Sequence, residues 1–99
     1  MPIHTHIENE IAEIIFEFPP VNAFNSKTWN DIPKVINDLG LRSDVKVILI
    51  RSKGKGFCAG VDIKELADDS NAIVSVNEGN FLTGQAIHHC EIPVIVAAH

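Results

Sequence analysis

Gly54-Lys55-Gly56-Phe57-Cys58-Ala59-Gly60-Val61-Asp62-Ile63-Lys64-Glu65-Leu66 is the stretch on which the reading of this chain turns. The apolar run Val45-Lys46-Val47-Ile48-Leu49-Ile50 precedes it and reads as a strand. A short segment of helical composition follows, to about Ala67. Glycines at 54, 56 and 60 let the backbone take positive φ and approach a ligand closely. A helix starting at Val61 or Asp62 has unpaired N–H groups at its first turn, and its macrodipole makes that end positive. Strand, glycine turn and helix start together make a place to hold negative charge. Lys64 adds a mobile positive charge one turn in.

Upstream, Ile3 to Ile7 alternates apolar and polar residues, Glu8-Asn9-Glu10 reads as a turn, and Ile11 to Phe18 reads as a second strand. This predicts an opening hairpin, ended by Pro19-Pro20, since proline cannot donate to a ladder. Val21 to Asn25 is a predicted loop. Ser26 is the predicted N-cap of a helix in which Trp29, Ile32, Ile36 and Leu39 recur at helical steps, with Gly40 at the C′ position. Pro33 predicts either a kink or a restart from Asp31. Downstream, Asp68 to Asn71 is a polar break before a helix over Ala72 to His89. Its predicted apolar face is Ile73, Val76, Phe81 and Ile87, weakened by Gly79 and Gly84. Ile92 to His99 reads as a strand buried on both faces of a mostly parallel sheet. The order β-β-α-β-α-α-β, without repeats, predicts an α/β fold. A central strand in last position leads to the expectation that residues 1–99 are the front part of a longer domain.

The 99 residues carry a net charge of −5 from scattered acids, and 45% of them are apolar. A nucleic-acid surface needs a basic stripe, which is lacking. No apolar run is long enough to span a bilayer as a helix. Met1-Pro2-Ile3-His4-Thr5-His6 lacks the basic and apolar regions of a signal peptide. Cys58 and Cys90 make no disulfide framework, so a reducing, cytoplasmic setting is expected.

Three readings compete for the glycine loop. One is a plain turn between strand and helix. A second is a dinucleotide fingerprint, since Gly54-x-Gly56-x-x-Ala59 fits G-x-G-x-x-G/A and follows a strand. That motif needs a second strand about 20 residues on, whereas the next strand here begins near Glu91. No Gly-Lys-Ser/Thr closes a P-loop. The third is an oxyanion site served by backbone N–H groups.

For this third reading, Phe57-Cys58-Ala59-Gly60-Val61-Asp62-Ile63-Lys64-Glu65-Leu66 resembles the F-C/A-A-G-A/V-D-I/L-K-E-L/M segment of the crotonase (enoyl-CoA hydratase/isomerase) superfamily. Pro19-Pro20-Val21-Asn22-Ala23-Phe24 resembles its early R-P-x-x-N-A-L loop. Val45 to Ile50 resembles the strand before its oxyanion loop, and Pro93 to His99 the strand P-V-I-A-A-V-N/H-G. The blocks occur in the family's order. The resemblance implies the N-terminal part of a ββα spiral fold, spanning about two fifths of a typical member and assembling as a trimer or a dimer of trimers.

It also implies a mechanism. An acyl-CoA thioester, whose CoA belongs to the substrate and is no separate cofactor, binds with its carbonyl oxygen between two backbone N–H donors. These stabilise the enolate or oxyanion of the transition state. By the resemblance, the first donor is the N–H of Val61. Ala59, Gly60, Asp62 and Ile63 lie along the CoA, Lys64 lies near its phosphates, and Asn22, Ala23 and Phe24 border the pantetheine and adenine. The second donor and the glutamates that hydratases use as acid and base would come after His99. Glu65, Glu78 and Glu91 match no catalytic position and read as solvated charges. Val21-Asn22-Ala23, Ser26-Lys27-x-Trp29 and Asn77-x-Gly79-x-Phe81 resemble bacterial members acting on steroid-derived CoA thioesters, ring-opening hydrolases among them.

The remaining chemistry-bearing residues have plainer readings. His88 and His89 are adjacent on a helix and point about 100° apart, so with Cys90 they are poorly placed to share a metal. His4 and His6 lie on one face of a predicted strand, which reads as an exposed face. Cys58 has no positioned base and reads as a packed thiol. Trp29 reads as packing. The expected activity of the parent protein is hydration of a 2-enoyl-CoA. The alternatives are double-bond isomerisation, C–C hydrolysis of a cyclic diketone CoA ester, or a non-catalytic CoA-binding remnant. The 99-residue chain alone is expected to be inactive and poorly soluble.

Overall fold

A computed structural model describes residues 3–99. Met1 and Pro2, the start of the stretch read for targeting, lie outside the described residues. β1 (Ile3–Glu8) and β2 (Ile11–Phe16) form the predicted hairpin, in register from Ile3 opposite Phe16 to Glu8 opposite Ile11. Its turn residues Asn9 and Glu10 both have positive φ, 53° and 68°. Two left-handed residues in a two-residue loop match the right-handed twist of the strands they join.

The remaining elements are β3 (Ala23–Phe24), α1 (Ser26–Gly40), β4 (Val47–Ser52), β5 (Gly60–Val61), α2 (Ile63–Asp68), α3 (Ala72–His89) and β6 (Val94–Val96). The main sheet has the order β1-β2-β4-β6, with β4 parallel to both of its neighbours. Sequence reading left β3 in a loop and β5 in the glycine turn. They pair with each other as a separate parallel ribbon.

α1 departs from expectation at both ends, and of the two readings of Pro33 the restart does not occur. Its N-cap is Asn25, whose Oδ1 accepts from Thr28 N at 2.9 Å, and not Ser26. The hydroxyl and N–H of Ser26 are engaged by Glu65, which leaves the cap to its neighbour. Gly40 is the last helical residue and has no positive φ. Its lack of a Cβ serves a close approach, since an added Cβ would meet Cys90 Sγ at 3.1 Å. The helix also runs through Pro33 without restarting. Proline cannot bond back four residues to Trp29 O, and the Thr83 hydroxyl of α3 donates to that carbonyl at 3.4 Å.

The same junction explains Gly79. A Cβ there would lie 2.7 Å from Trp29 C and O, so glycine is what lets α3 meet α1 backbone to backbone. The buried face of α3 is therefore Ala72, Val76, Gly79 and Ala86. Of the predicted face only Val76 is buried; Ile73, Phe81 and Ile87 are exposed. Small residues replace large ones because the helices pack so closely.

The core lies between the sheet and α1. Ala12, Ile14 and Phe16 of β2 and Ile48 and Ile50 of β4 face Ile32, Ile36 and Leu39. The other face of the sheet is partly open and carries the Arg51–Glu13 pair at 2.9 Å. β6 pairs on one side only and leaves Ile95 and Val96 about half exposed, 55% and 47%, so the expected burial on both faces is not met within these residues. In the α1–β4 turn Arg42 binds Asp44 through two nitrogens. That bond holds the Asp44 carboxyl below its ordinary range.

Candidate functional site: a cleft beside the glycine loop

β4 and the β3–β5 ribbon bracket the segment Lys53–Ala59. This loop has no regular ladder of its own, and side chains from other segments capture its carbonyls. Asn22 Nδ2 donates to Lys53 O and to Gly56 O, each at 2.8 Å. Ser52 Oγ donates to Phe57 O at 2.6 Å. A ring N–H of His99 donates to Gly54 O at 3.0 Å, and Phe57 N donates to His99 O at 3.1 Å. Gly54 and Gly60 have φ of +95° and +100°, the conformation in which side chains are strained. The Cys58 thiol accepts from Gly60 N at 3.4 Å, which makes it part of the turn.

Leaving the loop, Ala59 N donates to Asn22 O at 3.1 Å and Asp62 N donates to Phe24 O at 2.9 Å. Phe24 sits opposite Val61. In a parallel ladder a residue bonds the flanking neighbours of the residue opposite it, and that opposite residue turns its own groups the other way. Val61 therefore directs its N–H away from β3.

A cleft of about 420 Å³ opens beside this ribbon. Phe18 and the Pro19–Val21 turn contribute to its wall, as do Ala59, Val61, Ile63 and Lys64. Ala23 and Asp62 also line it. Gly60, between Ala59 and Val61, provides the turn. Asn22 and Phe24 stand apart from the other residues assigned to the site, being 3% and 2% exposed. Phe24 stacks among Phe16, Phe18 and Trp29, with ring centroids 4.9, 5.0 and 5.2 Å away. These two side chains face inward and support the cleft from behind.

Two electrostatic expectations change. α2 has only six residues, and Asp62 Oδ1 caps it by accepting from Lys64 N at 3.0 Å. A carboxylate at a short helix start leaves little positive field for a ligand; the loop N–H groups and Lys64 are what remains. Glu65 is no free solvated charge. Its two oxygens accept from Ser26 N at 2.7 Å and Ser26 Oγ at 2.9 Å, fastening α2 to the first turn of α1. Sequence reasoning missed this bridge and the Phe18–Val21 wall, because both join segments distant in the chain.

A groove of about 430 Å³ between α1 and α3, lined by Asn30, Lys34, Glu78 and His89 among others, is bordered by helices. Helix backbone N–H groups are bonded internally, so it lacks the donors that the loop offers. Among the described residues no three His, Cys, Asp or Glu gather as metal ligands, and no helix is long and apolar enough to cross a membrane.

The enoyl-CoA hydratase/isomerase family model matches residues 6–99. The (7aS)-7a-methyl-1,5-dioxo-2,3,5,6,7,7a-hexahydro-1H-indene-carboxyl-CoA hydrolase of Mycobacterium tuberculosis is 38% identical over 102 residues, a match spanning 100% of this chain and 41% of the relative. The enzyme of that name from Rhodococcus jostii is 37% identical over 91 residues, spanning 90% of this chain and 35% of the relative. Among solved structures, an enoyl-CoA hydratase/isomerase family protein from Hyphomonas neptunium superposes with a TM-score of 0.86 at 31% identity, over 100% of this chain and 40% of its own. The chain thus spans about two fifths of the length of these relatives and has the fold of their N-terminal part.

Proposed function

Because the chain belongs to the enoyl-CoA hydratase/isomerase family, we propose that it is the acyl-CoA-binding part of an enzyme that stabilises a thioester enolate with backbone N–H donors. The observation that carries this reading is the Val61 N–H, turned away from β3 by the Asp62–Phe24 bond in a ribbon that borders the cleft. A preorganised N–H aimed at developing negative charge needs no reorganisation during the reaction. Ala59, Gly60, Asp62 and Ile63 follow the CoA, Lys64 meets its phosphates, and Ala23 borders the pantetheine. Asn22 and Phe24 act from behind the wall. The second donor and the groups that move protons are assigned to the part of the relatives that this chain does not span. Self-association as a trimer or hexamer and a cytoplasmic location belong to the same reading.

The reaction favoured by the two relatives above is ring-opening hydrolysis of a cyclic diketone CoA ester. Water adds to a ring ketone. The bond from that carbon to the one bearing the thioester then breaks, and its electron pair moves onto the thioester oxygen as an enolate. A proton finally returns to carbon. Hydration of a 2-enoyl-CoA is the second reading, favoured by the family match over residues 6–99. It passes through an enolate at the same oxygen.

The test is an assay of the full-length natural protein with both substrate classes. Loss of the enoyl chromophore marks hydration, and a new carboxylate seen by carbon NMR marks ring opening. Val61→Pro deletes the donor and is expected to lower kcat about 10²–10³-fold. Val61→Ala keeps the N–H and should retain most of the turnover. Equal activity of the two variants would remove Val61 from the mechanism.

A further inference from the structure

Asn22 makes more connections than its place beside a turn requires. Its Nδ2 donates to Lys53 O and Gly56 O, its Oδ1 accepts from Phe18 N at 2.8 Å, and its backbone O accepts from Ala59 N. It does this at a φ of 57° and 3% exposed. Both amide hydrogens are committed inside the protein, so none is left to donate to a ligand. The side-chain partners belong to two segments, Phe18 before the Pro19–Val21 turn and Lys53 and Gly56 in the loop, and the backbone O adds Ala59 at the loop's end. Among the described residues no other side chain hydrogen-bonds both the Phe18 segment and the loop.

We infer that Asn22 is a positioning residue for the Val61 N–H, setting the path of the loop and through it the register of β5 on β3. The inference rests on the donor role proposed for Val61. Its physical content is that the loop lacks a ladder and depends on side-chain anchors for its shape. His99 and Ser52 each hold one carbonyl, whereas Asn22 holds two, on either side of the Gly54 turn. Aspartate is nearly isosteric but donates nothing, and its carboxylate would face the Lys53 and Gly56 oxygens. Glycine keeps the positive φ and loses every side-chain bond.

Asn22→Asp and Asn22→Gly in the full-length natural protein test this, with thermal melts, steady-state kinetics on the CoA ester that the wild type turns over, and calorimetric binding of acetyl-CoA. A small displacement of a catalytic group costs up to about 10²-fold in rate. Both variants should therefore lose about 10–10²-fold in kcat, with KM and acetyl-CoA affinity held within about threefold, a change of under one decade. Folded variants with unchanged kcat overturn the inference and leave the reading of Val61 standing. A raised KM at unchanged kcat also overturns it, since that marks a ligand contact. A wild type that neither binds acetyl-CoA nor turns over either substrate class overturns the functional reading and the inference with it. If neither variant folds, amide hydrogen exchange of the wild type decides. Slow exchange at Phe18, whose N–H donates to Asn22 Oδ1, supports the clamp, and exchange at the free-chain rate overturns it.

Discussion

Gly60 and Val61 divide two tasks that one residue could not perform. Gly60 takes φ of +100°, which turns the chain, and Val61 then presents its N–H. An added Cβ at Gly60 would meet nothing within 4 Å, so space is no obstacle to a side chain there. The obstacle is backbone conformation, which costs roughly 1–2 kcal/mol for an L-residue at left-handed φ. Gly60→Ala is therefore expected to lower stability by about that amount in denaturant titration, with turnover falling as the loop relaxes. An unchanged midpoint would show that the loop adopts another path at no cost. The glycine itself was legible in the sequence, because three glycines after a strand announce a special turn. The Asn22 clamp was not, since the loop carbonyls it holds lie more than 30 positions away.

At the scale of elements, the α1–α3 junction shows how a poor helix former can be the residue that permits packing. Gly79 costs about 1 kcal/mol in propensity relative to alanine, yet an alanine Cβ would stand 2.7 Å from the Trp29 backbone. Overpacking of this kind costs about 1–3 kcal/mol. Gly79→Ala should thus destabilise the protein by a net ~1–2 kcal/mol despite its better propensity, read as a lower thermal midpoint. Gly84 has open space around it, so Gly84→Ala should raise the midpoint. If both glycines respond alike, the close approach is not what selects Gly79. Propensity and periodicity exposed the helices but misassigned the face of α3, because large apolar residues normally mark the buried side. Here the tight contact admits only small ones.

For the whole molecule, the sheet ends on an edge strand with exposed apolar groups. Ile95 and Val96 of β6 and Phe81 and Val74 of α3 are each about half to two-thirds exposed. Unpaired strand edges with apolar side chains recruit other strands. A 99-residue polypeptide of this sequence is expected to self-associate as its concentration rises, measured by light scattering. Ile95→Lys should reduce that association. A stable, concentration-independent monomer would contradict the argument.

The chain's own pattern was enough to determine the order of the helices and of the four main-sheet strands, the α/β class, the hairpin, the glycine turn and the family. These depend on local periodicity, on turn chemistry and on a motif that is contiguous in sequence. Tertiary structure alone decided the pairing of β3 with β5, the capture of the loop carbonyls by Asn22 and the bridge from Glu65 to Ser26. It also decided which side of α3 is buried. Each of these is a contact between segments distant along the chain, and its geometry depends on how closely two backbones can approach. A linear pattern carries residue type and spacing, whereas the direction of one N–H beside a cleft is settled only when the strands around it are paired.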